Sequence, residues 1–372
     1  MPDRPPVAPR PAQPPGKTSL SFTRDGAQLL VAGCANYARS FRTSSIDDEP
    51  DMIDHIHDDT LALVCGNDYI ILGAEDGTVC EYAMSSSRKW ELKEILVRFS
   101  LPVRSIALSE DENWIAVSSD EVEIKVVNRH DIENIHTLKG HPKPTKHLSY
   151  NRHSSYLAAS CTDGKIYLYD MASATEPRLH KTIEGIIQRL ETVDEVTSAC
   201  YWHPYNTKLF ACGTASREIV LVDTGSGEIQ KRFPGAHNGP ISSISWSPNG
   251  NLLASSSHEG SLIIWNTVTG QILQQNTYEK ILEVTWHNKE NLLCWTNSWG
   301  EAYIIPDFLK KAEHIDLLNA APQAVVPSKQ DQRPPQSNQQ NGSISKPLVN
   351  GHSRPRARSH TPDSLDELLG DT

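Results

Sequence analysis

The sequence predicts an all-β protein made of seven similar sheets, and three observations lead to this prediction. Apolar segments recur every 40 to 53 residues, beginning at Leu29, Tyr69, Trp114, Tyr156, Leu209, Leu252 and Leu292. The segments before them alternate apolar and polar residues, as residues 241–246 do, which indicates β-strands. Gly, Asp, Asn and Pro separate the segments, as expected of tight turns. A four-stranded unit repeated at this spacing is typical of a β-propeller, so we expect a ring of seven blades.

Corresponding positions of the seven units carry related residues. Seven positions after each start stands a turn residue: Asn36, Asp76, Glu121, Asp163, Ser216, Glu259 and Trp299. Thirteen positions after each start stand Arg42, Tyr82, Val127, Tyr169, Val222, Trp265 and Ile305. This constant register predicts that every unit forms the same blade, in which successive strands pair in antiparallel order.

Composition divides the chain into three segments. Residues 1–17 contain seven prolines, which lack the N–H group that strands and helices use, so we expect a disordered arm. Residues 18–311 hold every tryptophan and form the predicted propeller. Residues 312–372 are rich in Gln, Asn, Ser and Pro, and this composition predicts a disordered polar linker.

The predicted linker has three features that could make contacts. Arg354, Arg356 and Arg358 form a compact basic run, which is typical of a nuclear-import signal or a nucleic-acid contact and equally of a solubilising linker. Thr361 precedes a proline and is a candidate phosphorylation site, where a phosphate would mask the neighbouring arginines. Residues 364–371 combine acidic residues with leucines at helical spacing, so this segment could dock into a groove of a partner.

Composition and motifs exclude several classes of protein. The apolar runs are too short to span a bilayer, so we predict no membrane segment. The seven cysteines are scattered with no Cys-x-x-Cys pair, which argues against a zinc site and favours a reducing compartment. The phosphate-binding glycine loop, the serine-hydrolase elbow and the zinc-protease motif are all missing from the sequence. We therefore predict no enzyme activity, no cofactor and no small-molecule substrate.

Charge bears on the partners of the propeller. The whole chain has a formal net charge of -11, and residues 18–307 carry 24 basic and 38 acidic side chains, a net charge of -14. Because nucleic-acid affinity depends largely on neutralising phosphates, this charge opposes direct contact between the propeller and DNA. We therefore expect protein partners.

The repeated units resemble WD40 repeats. The Trp-Asp pair that ends such repeats is similar to Trp265-Asn266, and their Gly-His element is similar to Gly140-His141. The resemblance implies a buried hydrogen-bond chain in each blade, which runs from the histidine through the turn acid to the aromatic residue. The implied members are His141, Asp163 and Tyr169 in blade 4, His237, Glu259 and Trp265 in blade 6, and Asp76 in the turn of blade 2.

The histidines of these chains have a second interpretation, as metal ligands or general bases. We disfavour it because His141 and His237 recur at one structural position of the repeat and do not converge on a single site. The most metal-like cluster is residues 54–59, Asp-His-Ile-His-Asp-Asp, whose alternate histidines would face the same way on a strand. Its place just before blade 2 favours a solvated loop, so we predict no metal site.

Several strings in the propeller are similar to one narrower family of WD40 proteins. They are residues 107–127, 138–141, 200–204, 247–266 and 284–287, and their order and spacing match as well as their residues. On these strings the chain resembles the chromosome-transmission-fidelity / acidic nucleoplasmic DNA-binding protein family, which includes the fungal minichromosome-loss proteins.

This family resemblance implies a function. Members are replisome adaptors that link the replicative helicase to DNA polymerase alpha and to chromatin and cohesion factors in DNA replication and repair. The resemblance therefore implies a nuclear, non-catalytic interaction platform whose partners are replisome and chromatin proteins. The family's trimerisation region lies beyond a second propeller, so we expect this chain to be monomeric. The alternatives are a generic WD40 scaffold, such as a ubiquitin-ligase substrate receptor, and a propeller enzyme with reactive groups converging on its channel.

The two ends of the ring raise a separate question. WD40 propellers usually complete the last blade with a strand from the N-terminus, and the prolines of residues 1–17 are unsuited to that role. We therefore expect either a seventh blade of three strands or an edge strand supplied by residues 308–318.

Overall fold

The computed structural model describes residues 17–325, except 34–36, 46–47, 55–58, 87–88, 173–175, 188–199, 215 and 234. Contacts divide the chain into a unit of residues 1–332 and a unit of residues 333–372, and every described residue belongs to the first. The described residues form six sheets of four strands and one sheet of three, all antiparallel. In these ranges no helix combines the length and the apolar character that crossing a bilayer requires.

Blades 1 to 4 are consecutive along the chain. Blade 1 contains β1 (Ser19–Phe22), β2 (Gln28–Ala32), β3 (Tyr37–Arg42) and β4 (Asp51–Asp54). Blade 2 contains β5 (Thr60–Cys65), β6 (Tyr69–Ala74), β7 (Thr78–Met84) and β8 (Trp90–Arg98). Blade 3 contains β9 (Val103–Leu108), β10 (Trp114–Ser119), β11 (Ile124–Asn128) and β12 (Asp131–Leu138). Blade 4 contains β13 (Thr145–Tyr150), β14 (Tyr156–Cys161), β15 (Ile166–Asp170) and β16 (Arg178–Ile183).

Blades 5 to 7 follow in the same order. Blade 5 contains β17 (Cys200–Trp202), β18 (Leu209–Gly213), β19 (Ile219–Asp223) and β20 (Ile229–Phe233). Blade 6 contains β21 (Ile241–Trp246), β22 (Leu252–Ser257), β23 (Ser261–Asn266) and β24 (Ile272–Thr277). Blade 7 contains β25 (Ile281–Trp286), β26 (Leu292–Asn297) and β27 (Ala302–Pro306), and α1 (Ala312–Asn319) comes after it.

The seven blades close into a ring. The first strand of each blade contacts the first strand of the next, and β25 of blade 7 contacts β1 of blade 1. These first strands therefore line a central channel, and the fourth strands lie at the outside of the ring. The predicted fold, an all-β propeller of seven blades, is confirmed.

Packing between blades explains why the second strands are so apolar. Every residue of β6, β18, β22 and β26 is buried, because neighbouring blades cover both faces of each sheet. The core is accordingly a series of clusters between adjacent blades; Leu209 of blade 5, for example, packs in one cluster with Leu253 and Trp265 of blade 6. Each blade therefore depends on its neighbours to bury its apolar faces.

The structure corrects the predicted register of blade 1 by one residue. Leu29 pairs with Phe41, as the corresponding residue of blade 6 pairs with Trp265. The unit therefore begins at Gln28, and the buried Phe41 occupies the aromatic position that the prediction gave to Arg42. The prediction failed because it took the first apolar residue as the start, whereas Gln28 is polar.

Blade 7 has three strands among the described residues, which is the first of the two alternatives for closure. Phe308 and Leu309 pack into the core between blades 6 and 7, and Leu318 of α1 joins the same cluster. The sequence assigns residues 312–372 to a disordered linker, whereas residues 312–319 form α1. The polar composition of the whole segment hides the helical spacing of Ile315 and Leu318.

Three asparagines hold this C-terminal extension against the ring. The side-chain amide of Asn249 lies 2.7 and 2.8 Å from carbonyl oxygens at the end of α1, and that of Asn251 lies 3.1 Å from the carbonyl oxygen of Leu317. The side chain of Asn291 donates to the carbonyl of Leu309 and accepts from its N–H, both at 3.0 Å. The bonds from Asn249 and Asn251 satisfy carbonyl groups that the end of a helix leaves unpaired.

Side chains connect blade 7 to blade 1. The hydroxyl oxygens of Thr18 and Thr296 lie 2.6 Å apart, and the Nε2–H of His287 donates to the carbonyl oxygen of Gly26 at 3.0 Å. The side-chain amide of Asn288 donates to the backbone of the same blade 1 loop. Among the described residues, side-chain hydrogen bonds and apolar packing thus hold blade 7 against blade 1.

Candidate functional site

The buried histidine of blade 4 bonds directly to the aromatic residue of that blade. The Nδ1 atom of His141 lies 2.7 Å from the hydroxyl oxygen of Tyr169, and its Nε2 atom bonds the carbonyl oxygen of Val122 in blade 3. Because a carbonyl oxygen only accepts, Nε2 carries the proton, and Nδ1 accepts from the tyrosine hydroxyl. Burial lowers the pKa of His141, which favours this neutral ring. We name His141 and Tyr169 the blade 4 clasp.

Asp163 lies beside the blade 4 clasp and is not part of it. Its carboxylate accepts from the hydroxyl of Tyr167 at 2.7 Å and from the N–H of Lys165 at 3.0 Å. The family pattern places Asp163 between His141 and Tyr169, but the structure shows a different connection. The hydroxyl of tyrosine extends beyond its ring and reaches the imidazole without an intermediate.

Blade 6 uses a serine at the place of this intermediate. The Nε2 atom of His237 lies 2.7 Å from the hydroxyl oxygen of Ser255, and the indole N–H of Trp265 donates to the same oxygen at 2.8 Å. The Nδ1 atom of His237 bonds the hydroxyl of Ser261. Burial lowers the pKa of His237 to about 4, so its ring is neutral at pH 7. We name His237, Ser255 and Trp265 the blade 6 clasp.

The two remaining predicted acids form surface and turn contacts. Glu259 is exposed, and its side chain lies over Gly239, where an added methyl group would come within 2.7 Å of it. Asp76 accepts from the N–H and the hydroxyl of Thr78 at 2.8 and 2.7 Å, which fixes the turn between β6 and β7. Asp76 and Asp163 therefore stabilise turns, and the structure shows no hydrogen bond between Glu259 and the blade 6 clasp.

The residues predicted in the tail lie outside the described residues. These are Arg354, Arg356, Arg358 and Thr361, and residues 55–58 of the metal-like cluster lie outside them as well. Within the described ranges, no group of three or more His, Cys, Asp or Glu residues is arranged to hold a metal ion.

A group of titratable residues that sequence reasoning missed meets in the central channel. Lys17, just before β1, donates to the carbonyl oxygen of Arg104 in β9, and its charge acts on Glu283 in β25 and on His147 in β13. Because these residues belong to blades 3, 7 and 4, the ammonium group must lie within the channel. The guanidinium of Arg104 donates to both carboxylate oxygens of Asp120, with one bond of 2.8 Å. We name these five residues the channel group.

Burial sets the protonation of the channel group. It lowers the pKa of Lys17 and raises the pKa of Glu283, and the opposite charge of each partner resists the shift. Burial and the charge of Lys17 lower the pKa of His147 to about 3. Ser243 nearby bonds the hydroxyl of Tyr201 at 3.2 Å. The described contacts therefore join Ser243 to Tyr201. They do not join it to His147, the residue that would activate a serine as a nucleophile.

Comparison with known proteins identifies the relatives of this propeller. The profile of the family described as WDHD1 first WD40 domain matches residues 10–304. Minichromosome loss protein 1 of Schizosaccharomyces pombe is 34% identical over 82% of this chain and 37% of its own length. WD repeat and HMG-box DNA-binding protein 1 of Xenopus laevis is 24% identical over 79% of this chain and 26% of its own length. The DNA polymerase alpha-binding protein of Saccharomyces cerevisiae is 23% identical over 46% of this chain and 18% of its own length.

A solved structure agrees with the fold. A chain in a crystal structure of the mitotic checkpoint complex superposes with a TM-score of 0.65 at 14% identity, over 82% of this chain and 95% of that one. At this identity the likeness shows the fold alone. The chain spans little more than a third, or less, of the length of the curated relatives. The family match covers most of the chain, and the chain therefore belongs to the family of WDHD1 first WD40 domains.

Proposed function

We propose that this chain is the propeller of a nuclear replication adaptor, which gathers replisome and chromatin proteins and catalyses no reaction. The observation that carries the proposal is the family match over residues 10–304. The names of the relatives support it, since one is a DNA polymerase alpha-binding protein and another is named for minichromosome loss. We infer the adaptor role of this chain from the names of these relatives.

The structure is well suited to binding proteins. Apolar clusters pack neighbouring sheets together, and the clasps of blades 4 and 6 add buried hydrogen bonds, so the described loops extend from a rigid scaffold. The net charge of -14 on residues 18–307 favours protein partners over nucleic acid, because it repels phosphate groups.

The non-catalytic part of the proposal rests on what the described side chains offer. The described cysteines are buried, and burial raises the pKa of Cys294 and Cys212 well above the usual value, which suppresses the reactive thiolate. In the channel group, His147 is neutral and makes no hydrogen bond through Nδ1 to any described residue. A general base needs a nucleophile within hydrogen-bond reach, and the described contacts of His147 provide none.

Affinity capture tests the adaptor role. Tagged full-length chain is incubated with nuclear extract from cells in S phase, and the retained proteins are identified by mass spectrometry. We expect enrichment of replication-fork and chromatin proteins over a bait of another WD40 protein. The serine-threonine kinase receptor-associated protein of chicken is a suitable control bait, since it is 25% identical over 68% of this chain.

The outcome distinguishes the adaptor from the generic scaffold. Enrichment of a cullin adaptor without replication proteins would favour a ubiquitin-ligase substrate receptor and would contradict the proposal. Equal recovery of replication proteins on both baits would also contradict it, because binding would then reflect a general property of WD40 propellers.

A further inference from the structure

A cleft between blades 3 and 4 has the size and the lining of a binding site. Its volume is about 560 Å³. It is bounded by the β9–β10 loop, by His136 of β12, by the β13–β14 loop and by Met171 and Pro177 in the connection after β15. A volume of this size lies within the usual range for sites that bind small molecules or peptide side chains.

The inner wall of the cleft is apolar and aromatic. Trp114, Tyr150 and Met171 line it, and all three are only partly buried although they pack against the core between blades 3 and 4. The indole of Trp114 packs on the imidazole of His136 with ring centroids 5.2 Å apart, which holds the wall in place. An apolar side chain that entered here would remove further surface of these rings from water.

The mouth of the cleft is acidic. Glu110 and Asp111 are both exposed there, in the β9–β10 loop. Burial alone would raise the pKa of Asp111, but hydrogen bonds from Ser109 and Asn113 lower it, so its carboxylate stays charged. The carboxylate of Glu110 makes no ion pair or hydrogen bond with a described residue, so it can pair with a cation from outside.

We propose that this cleft binds a short peptide segment in which an aliphatic or aromatic side chain lies next to an arginine or lysine. The apolar side chain packs between Trp114 and Met171, and the basic group pairs with Glu110. The acidic mouth opposes nucleic acids and anionic lipids, because both present phosphates. The inference deepens the proposed adaptor role, on which its biological setting rests, by assigning one surface and one class of partner.

Selection of peptides tests this site without any replication protein. A display library of random peptides is selected on the immobilised full-length chain, and the enriched peptides are measured by fluorescence anisotropy. We expect enriched sequences that combine an apolar residue with Arg or Lys. We expect Glu110→Lys and Trp114→Ala to weaken their binding about tenfold or more, since central contacts commonly contribute over 1 kcal/mol.

Glu290→Lys is the matched control, because Glu290 is exposed in the corresponding β25–β26 loop of blade 7. It makes the same change of charge at a distance from the cleft, so affinity should change less than twofold. Glu110→Lys alters an exposed side chain and keeps the test valid if Trp114→Ala fails to fold. The proposal is overturned if no peptide is enriched, if acidic peptides are enriched, or if Glu110→Lys and Glu290→Lys bind equally. Failure here leaves the affinity-capture result intact, so the two proposals fail separately.

Discussion

Blades 4 and 6 solve the same structural problem with different residues. Each must bury a histidine between sheets and satisfy both ring nitrogens, because an unpaired buried polar atom is costly. Blade 4 connects His141 to Tyr169 directly, whereas blade 6 inserts Ser255 between His237 and Trp265. The aromatic residues of both clasps are 1% exposed.

The two clasps differ in the polar group that the aromatic side chain presents. Ala159 occupies the position in blade 4 that corresponds to Ser255 in blade 6. It pairs with the first strand of its blade as Ser255 does, but it has no hydroxyl. Tyr169 supplies its own hydroxyl, so no serine is needed. In blade 6 the indole N–H of Trp265 donates to the hydroxyl of Ser255, and this hydroxyl bonds the histidine.

Removing the aromatic side chain of blade 6 should have the largest effect. Trp265→Ala leaves a cavity in the cluster that joins blades 5 and 6, so we expect the free energy of unfolding to fall by about 3–5 kcal/mol. Chemical denaturation followed by circular dichroism measures it. A loss below about 1 kcal/mol would show that the neighbouring blades collapse into the space.

Ser255→Ala should come next, because it separates the blade 6 clasp into two unpaired groups. The indole N–H of Trp265 and the Nε2 atom of His237 each lose their partner, and each such group costs about 1–3 kcal/mol. Ser261→Ala is a useful comparison, since it removes the bonds of Ser261 to Nδ1 of His237 and to the hydroxyl of Ser257 but leaves Trp265 bonded to Ser255. A smaller loss in Ser255→Ala than in Ser261→Ala would contradict the connecting role of Ser255.

Tyr169→Phe tests the direct bond of blade 4. It keeps the buried ring and leaves only the Nδ1 atom of His141 without a donor, so we expect a loss of about 1–3 kcal/mol. Adding Ala159→Ser to this variant could restore a donor near the imidazole. Chemical denaturation of both variants measures the free energy of unfolding. No loss of this free energy in Tyr169→Phe would mean that the bond makes no net contribution to stability.

Acid should weaken the blade 6 clasp over a defined range of pH. Unfolded histidine binds a proton near its ordinary pKa of about 6.5, whereas burial lowers the pKa of His237 to about 4. The unfolded state therefore binds more protons between these values, and stability is lost as pH falls from about 6.5 to about 4. His237→Gln should reduce the slope in this window by up to about 1.4 kcal/mol per pH unit. An unchanged slope would contradict the neutral buried ring.

Glu259→Gln should have the smallest effect. The exposed side chain makes no bond to the blade 6 clasp, so we expect a change within about 0.5 kcal/mol. Asp163→Asn in blade 4 is the comparison, because Asp163 accepts hydrogen bonds from two groups and should cost more. A larger loss of stability in Glu259→Gln than in Asp163→Asn would show that Glu259 belongs to the hydrogen-bond chain that the family pattern implies.

The repeat register gave the number of blades, their order and most of their strand positions, because apolar spacing reflects burial directly. It misplaced blade 1 because Gln28 is polar at a position where the other units are apolar or aromatic. The register also could not reveal Ser255, since β22 contains three consecutive serines and only their geometry distinguishes them.

Sequence patterns could not predict the channel group or the packing of the C-terminal extension. Lys17 follows a proline-rich segment that predicts an arm, yet it reaches residues of three other blades. Glu283 lies in the amphipathic strand β25, and Asn291 comes directly before β26 in a short turn. Convergence across a ring depends on which blades face one another, and a one-dimensional pattern holds no information about that.

The joint between blades 7 and 1 has a consequence for how the ring opens. Unlike the other neighbouring blades, blades 7 and 1 are not consecutive along the chain, so this joint depends on apolar packing and on side chains such as Thr18, Thr296 and His287. Backbone amides of β1 and β27 should then exchange their hydrogens with solvent earlier than those of blades 3 to 5. The ends of the chain would loosen as a local event, while the opposite half of the molecule keeps its shape.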